Sequence, residues 1–202
     1  MLLLYFGILV LSLSFHEAAH AWTANRLGDP TARHLGRITI NPLAHIDWIG
    51  TVLFPILAYL SNLPLIGWAK PVPVNVHNLR APRRDFGIVA AAGPLSNLLL
   101  AVAGAAVFAL LFKVGDSSPG ARLLELGVSL NITLAVFNMI PIPPLDGGNV
   151  LGGVLPEQFA RALDQLRPYG FLLLYALMFV GVLREFVFPV SDAIFNVLMP
   201  VL

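Results

Sequence analysis

The chain has 202 residues, of which 57% are hydrophobic and 11% charged, against about 45–50% and about 25% in soluble domains. That balance excludes an ordinary soluble domain and describes a polytopic membrane protein whose apolar surface meets lipid. A net charge of +1 gives no basis for a nucleic-acid partner, and the absence of cysteine excludes disulfides, thiolate zinc sites and cysteine nucleophiles.

The first predicted element runs from Met1 to about Ala24. Its first fifteen residues, MLLLYFGILVLSLSF, carry no charge and lead into His16-Glu17-Ala18-Ala19-His20. On a helix, residues four apart share a face, so His16 and His20 can offer nitrogen to one metal ion. Glu17, one position along, is placed to act as a base. Three polar residues this deep in an apolar run are costly unless something uses them. A secretory signal is the plain alternative, since Ala19-His20-Ala21 resembles a cleavage site, but no Lys or Arg precedes the apolar run. Two histidines that merely satisfy a helix interior would still need partners.

Residues Asn25 to Asp47 form a polar stretch, and the alternating run Arg37-Ile38-Thr39-Ile40 predicts a short strand or hairpin lying against the membrane. A second apolar segment, Ile49 to about Gly67, is interrupted by Pro55, Asn62 and Pro64. A loop rich in proline and positive charge follows, Lys70 to Asp85. The third segment runs from Phe86 to Phe112. A brief loop, Lys113 to Arg122, leads to the fourth, Leu123 to Ile140. Then come Pro141-Ile142-Pro143-Pro144-Leu145-Asp146-Gly147-Gly148 and a polar stretch to Pro168. A fifth segment, Tyr169 to Leu183, and a last apolar piece, Phe186 to Leu202, complete the chain. Arg184-Glu185 reads as the interfacial turn between them, with an ion pair inside one long kinked helix as the alternative. There is no internal repeat. Length and continuity predict a single membrane domain over 1–202.

A zinc protease site needs a third protein ligand and an open position for water. The extended soluble form H-E-x-x-H-x-x-G-x-x-H is absent, because Thr23 and Arg26 occupy the required Gly and His positions. The best candidate is Asp146, which follows a proline-terminated helix and precedes two glycines that let backbone turn sharply. Read locally, an aspartate bonding its own backbone in a Pro-Gly turn is as good an account. His34, His45 and His77 read as polar loop residues rather than ligands, since none has a partner at ligand spacing.

Three motifs together carry a resemblance. His16-Glu17-x-x-His20 in a membrane helix, Gly93-Pro94-Leu95-Ser96-Asn97 in a later helix, and Asn138-x-x-Pro141-x-Pro143-x-Leu145-Asp146-Gly147 resemble, in order and spacing, the site-2 protease family of intramembrane zinc metalloproteases. Asn41-Pro42-Leu43-Ala44-His45-Ile46-Asp47 and Gly67-Trp68-Ala69-Lys70-Pro71-Val72-Pro73-Val74-Asn75 are similar to the compact prokaryotic branch without a PDZ domain. The similar stretches span Met1 to about Gly148, and the last fifty residues carry no assignable motif. The resemblance implies that His16, His20 and Asp146 bind one Zn²⁺ per chain, with Glu17 as general base. It implies that Asn97 contacts substrate or helps hold the oxyanion; the alternative is interhelical glue beside Gly93 and Ser96. Asn138 either hydrogen-bonds near the site or caps its helix end.

Charge orders the topology. Stretches 25–48, 67–85 and 147–168 hold nine of the twelve Lys and Arg residues, and the positive-inside rule puts all three on the cytoplasmic side. The second segment then cannot cross, and its Pro55, Asn62 and Pro64 suit a re-entrant piece. His16 lies about 22 Å down a helix from Met1, which sets the site toward the cytoplasmic side. The expected fold is an all-α polytopic bundle: three core transmembrane helices, a re-entrant segment, a short membrane-associated β-hairpin and one or two additional C-terminal helices. The resemblance implies a prokaryotic plasma-membrane enzyme that cuts a peptide bond within or near the transmembrane helix of a membrane-protein substrate. Two rivals stand beside it: a metal-ion transporter, which ordinarily repeats its ligands in related halves, and a catalytically silent scaffold.

Overall fold

The computed structural model describes residues 2–53, 57, 60, 69–113 and 115–199. Three helices are long and apolar enough to cross a membrane. We number them with the shorter ones in chain order. Helix α1 is Leu2–Leu27 and α2 is the single turn Thr31–His34. Helix α3 is Pro82–Leu111 and α4 is Pro119–Asn138. Then follow α5, Asp146–Val154; α6, Glu157–Leu166; α7, Gly170–Val180; and α8, Val182–Leu198. The three spans are Leu4–Leu27 within α1, α3 and α4, and the chain is an integral membrane protein.

Helix α3 is the centre. Its buried positions Ala90, Gly93, Asn97, Ala101, Ala105 and Phe108 recur every three or four residues, so they form one stripe along the helix. Most are small. Between membrane helices this lets backbones approach closely, which is how such bundles gain packing without a water-driven hydrophobic force. Ala101, Ala105 and Phe108 meet Ala121, Val128, Ile132 and Val136 of α4, and Val187 of α8 joins the same cluster. The opposite faces carry exposed Leu99, Val102, Leu110 and Leu111, suited to lipid. Helix starts follow local rules: Pro82 and Pro119 stand in first turns, and the Ser118 side chain accepts from the Ala121 N–H.

Several expectations change. The predicted hairpin around Arg37–Ile40 is absent: no strand occurs among the described residues. Its backbone and side chains are committed elsewhere. The Thr39 carbonyl lies 2.8 Å from His45 Nε2, and Thr39 Oγ1 accepts from Asn41 N–H. Arg37 turns inward and donates to the Lys70 carbonyl at 2.5 Å. Four alternating residues without a partner strand do not make a ladder. The re-entrant segment predicted over Ile49–Gly67 falls largely outside the described residues. The described Trp48–Leu53 is one wide helical turn, started by Asp47, whose carboxylate accepts from the N–H groups of Ile49 and Gly50. From Asp146 onward the described residues form four α-helices, more than expected. The break near its end lies at Gly181, left-handed with φ 81°, where α7 ends and α8 begins. Arg184 and Glu185 fall in the first turn of α8, so a left-handed glycine and not the charge pair ends the helix.

Candidate metal centre

Helices α1, α3 and α4 meet at a buried polar centre. His16 and His20 sit one turn apart on the inner face of α1, 4% and 8% exposed. Asp146 opens α5, just past the proline-rich turn after α4. Its Oδ2 lies 3.1 Å from His16 Nε2 and 3.3 Å from His20 Nε2. The ligand-competent atoms of these three residues all lie within 4.8 Å of one another. The local alternative for Asp146, a turn residue bonding its own backbone, does not describe this arrangement, because the carboxylate points across to α1.

The outer ring nitrogens decide what faces inward. His20 Nδ1 lies 2.7 Å from the Val89 carbonyl, which can only accept, so this nitrogen carries the hydrogen. His16 Nδ1 lies 2.6 Å from Asn97 Oδ1. The Asn97 amide nitrogen donates to the Ser12 carbonyl at 3.3 Å and to Asn131 Oδ1 at 2.9 Å, so its oxygen is the atom turned to His16. Each ring therefore turns its Nε2 toward Asp146 Oδ2, a buried oxygen whose close neighbours are these two ring nitrogens. With both Nε2 atoms unprotonated, three electron-pair donors so close repel one another unless a cation lies among them. Two imidazoles and a carboxylate are also a donor set that suits zinc.

Glycines make room for the centre. A Cβ on Gly93 would stand 2.4 Å from His20 Nε2 and 2.6 Å from His16 Cε1, so only glycine lets α3 lie against the two rings. Gly147 and Gly148 were expected to supply a sharp turn. They are instead helical residues of α5, and a Cβ on either would strike the backbone of Met139 to Pro143. Close approach is their physical requirement, and it seats Asp146 against the end of α4.

Glu17 is half-buried beside the two histidines, and its Oε2 accepts from the Val72 N–H at 2.9 Å. Val72 lies on the segment Ala69–Asn75, which crosses over the site without helical or strand pairing. Arg37 anchors that segment at the Lys70 and Pro71 carbonyls, and the Lys70 N–H donates to the His45 carbonyl. Asp29 holds its far end: the carboxylate accepts from the Asn75 N–H, the Asn78 amide and both the N–H and hydroxyl of Thr31. Burial alone would raise the Asp29 carboxyl, but these hydrogen bonds outweigh it and hold the group below the ordinary 3.8.

Asn97 is fully buried behind His16, and Asn138 donates to the Leu134 carbonyl of its own helix. His45 is buried at the end of the turn Pro42–Ala44, and its carbonyl accepts from the Lys70 N–H, while His34 and His77 lie on short helical turns away from the centre. Sequence reading missed Asn131, Ser12, Asp29 and Arg37. A signal existed for the first two, since an amide or hydroxyl inside an apolar span needs a partner.

An integral membrane bundle with a buried His-His-Asp group is the class these features define. Comparison with known proteins narrows it. A model of peptidase family M50 matches residues 116–181. "Putative zinc metalloprotease YwhC" of Bacillus subtilis is 35% identical over 192 residues, covering 92% of this chain and 84% of that protein. "Putative zinc metalloprotease Rip2" is 32% identical in Mycolicibacterium smegmatis, over 91% of this chain and 72% of that protein. The Rip2 of Mycobacterium tuberculosis is also 32% identical, over 96% of this chain and 76% of that protein. No solved structure matches. The chain belongs to peptidase family M50, the site-2 protease family, and is a zinc metalloprotease.

Proposed function

We propose that this protein is an intramembrane endopeptidase that cuts a peptide bond within or near the transmembrane helix of a membrane-protein substrate. The convergence of His16, His20 and Asp146 among three apolar spans carries this reading. These three residues hold the zinc, which when bound polarises the scissile carbonyl and acidifies water. Glu17 takes the proton from the attacking water and delivers it to the leaving amine. The Val72 N–H fixes one carboxylate oxygen, which leaves the other to handle the proton. A substrate helix must unwind to react, because its carbonyls are hydrogen-bonded and shielded. The single asymmetric ligand set, with a carboxylate at the base position, supports hydrolysis over metal transport, and the complete Glu17 and Asp146 pair speaks against a silent scaffold.

The reading is tested by Glu17→Gln, whose amide oxygen still accepts from Val72 but cannot take a proton. Zinc content should stay near wild type, while cleavage falls by about 10²–10⁴-fold and uncut membrane-protein substrates accumulate in cells. Wild-type turnover in that variant overturns the mechanism. The clustered basic residues support a site toward the cytoplasm, and the bacterial relatives support a prokaryotic plasma membrane. Single cysteines at Arg33, Arg84 and Glu157 should then all react from the cytoplasmic side. Arg84 and Glu157 have well-exposed side chains, and the chain has no cysteine of its own. Labelling of Arg33→Cys and Arg84→Cys from opposite faces would make the second segment a true span.

A further inference from the structure

Behind His16 lies a chain of hydrogen bonds that the hydrolytic reading does not use. Asn131, on α4, donates through its amide nitrogen to the Gly127 carbonyl at 2.8 Å and to Ser12 Oγ at 2.9 Å. A backbone carbonyl only accepts, so the amide nitrogen must face Gly127 and the side-chain oxygen must face Asn97. Asn97 Nδ2 then donates to that oxygen and to a second backbone carbonyl, that of Ser12. Its own oxygen is thereby left facing His16 Nδ1. Two immovable backbone acceptors, Gly127 on α4 and Ser12 on α1, thus dictate the direction of both amides. Asn97 and Asn131 are 0% and 5% exposed, so no water competes for these bonds. His20 needs no such device, because its Nδ1 meets the Val89 carbonyl directly.

We propose that Asn131, acting through Asn97, is a positioning residue that holds His16 in the tautomer whose Nε2 lone pair faces Asp146. This rests on His16 being a zinc ligand. Neutral histidine has two tautomers, and only the one with its hydrogen on Nδ1 presents Nε2 to a metal. Outer partners of this kind fix ring orientation, and their loss typically weakens metal binding by about 10–100-fold. Asn97 makes both its amide donors to the protein, so its role here is orientation of His16. The network also joins α1, α3 and α4, which couples the ligand's orientation to the seating of the three spans.

The test is the zinc dissociation constant of the purified full-length protein in detergent, measured by chelator competition. Asn97→Leu should weaken zinc by about 10–100-fold. Asn131→Leu should weaken it in the same direction by less, and the double variant should be no weaker than Asn97→Leu, since Asn131 acts through Asn97. Thr133→Val removes another hydroxyl from α4, one bonded to the Ser129 carbonyl of its own helix, and should leave zinc affinity unchanged. If either Leu variant fails to fold, the smaller polar changes Asn97→Ser and Asn131→Ser, too short to span the gap, replace it. Asn131 variants that lower the melting temperature yet bind zinc like wild type show mere helix glue and overturn the proposal. Additive losses in the double variant overturn the relay through Asn97. Absence of zinc binding by the wild-type protein overturns the His16 ligand assignment itself.

Discussion

Two carboxylates, Asp29 just past the end of α1 and Asp146 at the head of α5, have opposite surroundings. Asp29 is fully buried and accepts four hydrogen bonds, from Thr31, Asn75 and Asn78. Asp146 is partly exposed, but its Oδ2 is buried and faces two imidazole nitrogens instead of N–H or O–H groups of the backbone and loops. Both are held by neighbouring segments of the same chain, and it is not burial that gives them different roles. The donors do. A carboxylate saturated by N–H and O–H groups is a fastening whose charge is already answered. One that faces two imidazole nitrogens needs a positive charge among them, a proton or a metal ion, and such a cluster is the mark of a working site.

The largest effect should come from Asp146→Ala. Two histidines alone bind zinc weakly, so purified protein should lose most of its zinc and turnover should fall to background. Full metal occupancy in that variant would remove Asp146 from the site and collapse the contrast with Asp29. Gly93→Ala should come next. The added methyl lies too close to both rings to be accommodated without shifting one, and displacement of a reacting group by about 1 Å can cost roughly 10²-fold. Turnover and zinc affinity measured together should both drop, while retained activity would show that α3 can stand further from α1.

Asp29→Asn is the mildest and sharpens the comparison from the other side. It turns an amide toward groups that all donate, so thermal unfolding should show a loss of about 1–3 kcal/mol, with zinc stoichiometry unchanged. Loss of zinc would mean that the strap over Glu17 shapes the metal site as well as the fold. The pH dependence has a definite sign. The folded carboxyl lies below its unfolded value near 3.8, so its stabilisation is complete above that value and disappears as pH falls through the lowered folded one. The acid limb of the stability curve should therefore be shallower in Asp29→Asn than in the wild type.

The regions differ in how far they could be read in advance. The three spans stood out because long apolar runs have few other destinations than a bilayer. His16, Glu17 and His20 were legible because helical spacing is local. The Arg37–Ile40 strand was misread because a strand exists only with a partner, and here Arg37 is drawn inward to Lys70 and Pro71. The end of α7 was placed three residues late, because charge marks where a chain leaves lipid, while a left-handed glycine marks where the helix stops.

By itself the sequence determined the membrane class, the His-Glu-x-x-His face and the presence of a later aspartate between proline and glycine, all properties of neighbours along the chain. Only the tertiary structure decided which atoms face which. That Asp146 meets His16 and His20, that Asn97 turns its oxygen to a ring nitrogen, and that Asn131 and two backbone carbonyls direct it, depends on residues 34 to 130 positions apart meeting between α1, α3, α4 and α5. Hydrogen bonds are directional and short, so their partners are chosen by packing at the scale of an ångström, which no spacing along one segment can specify.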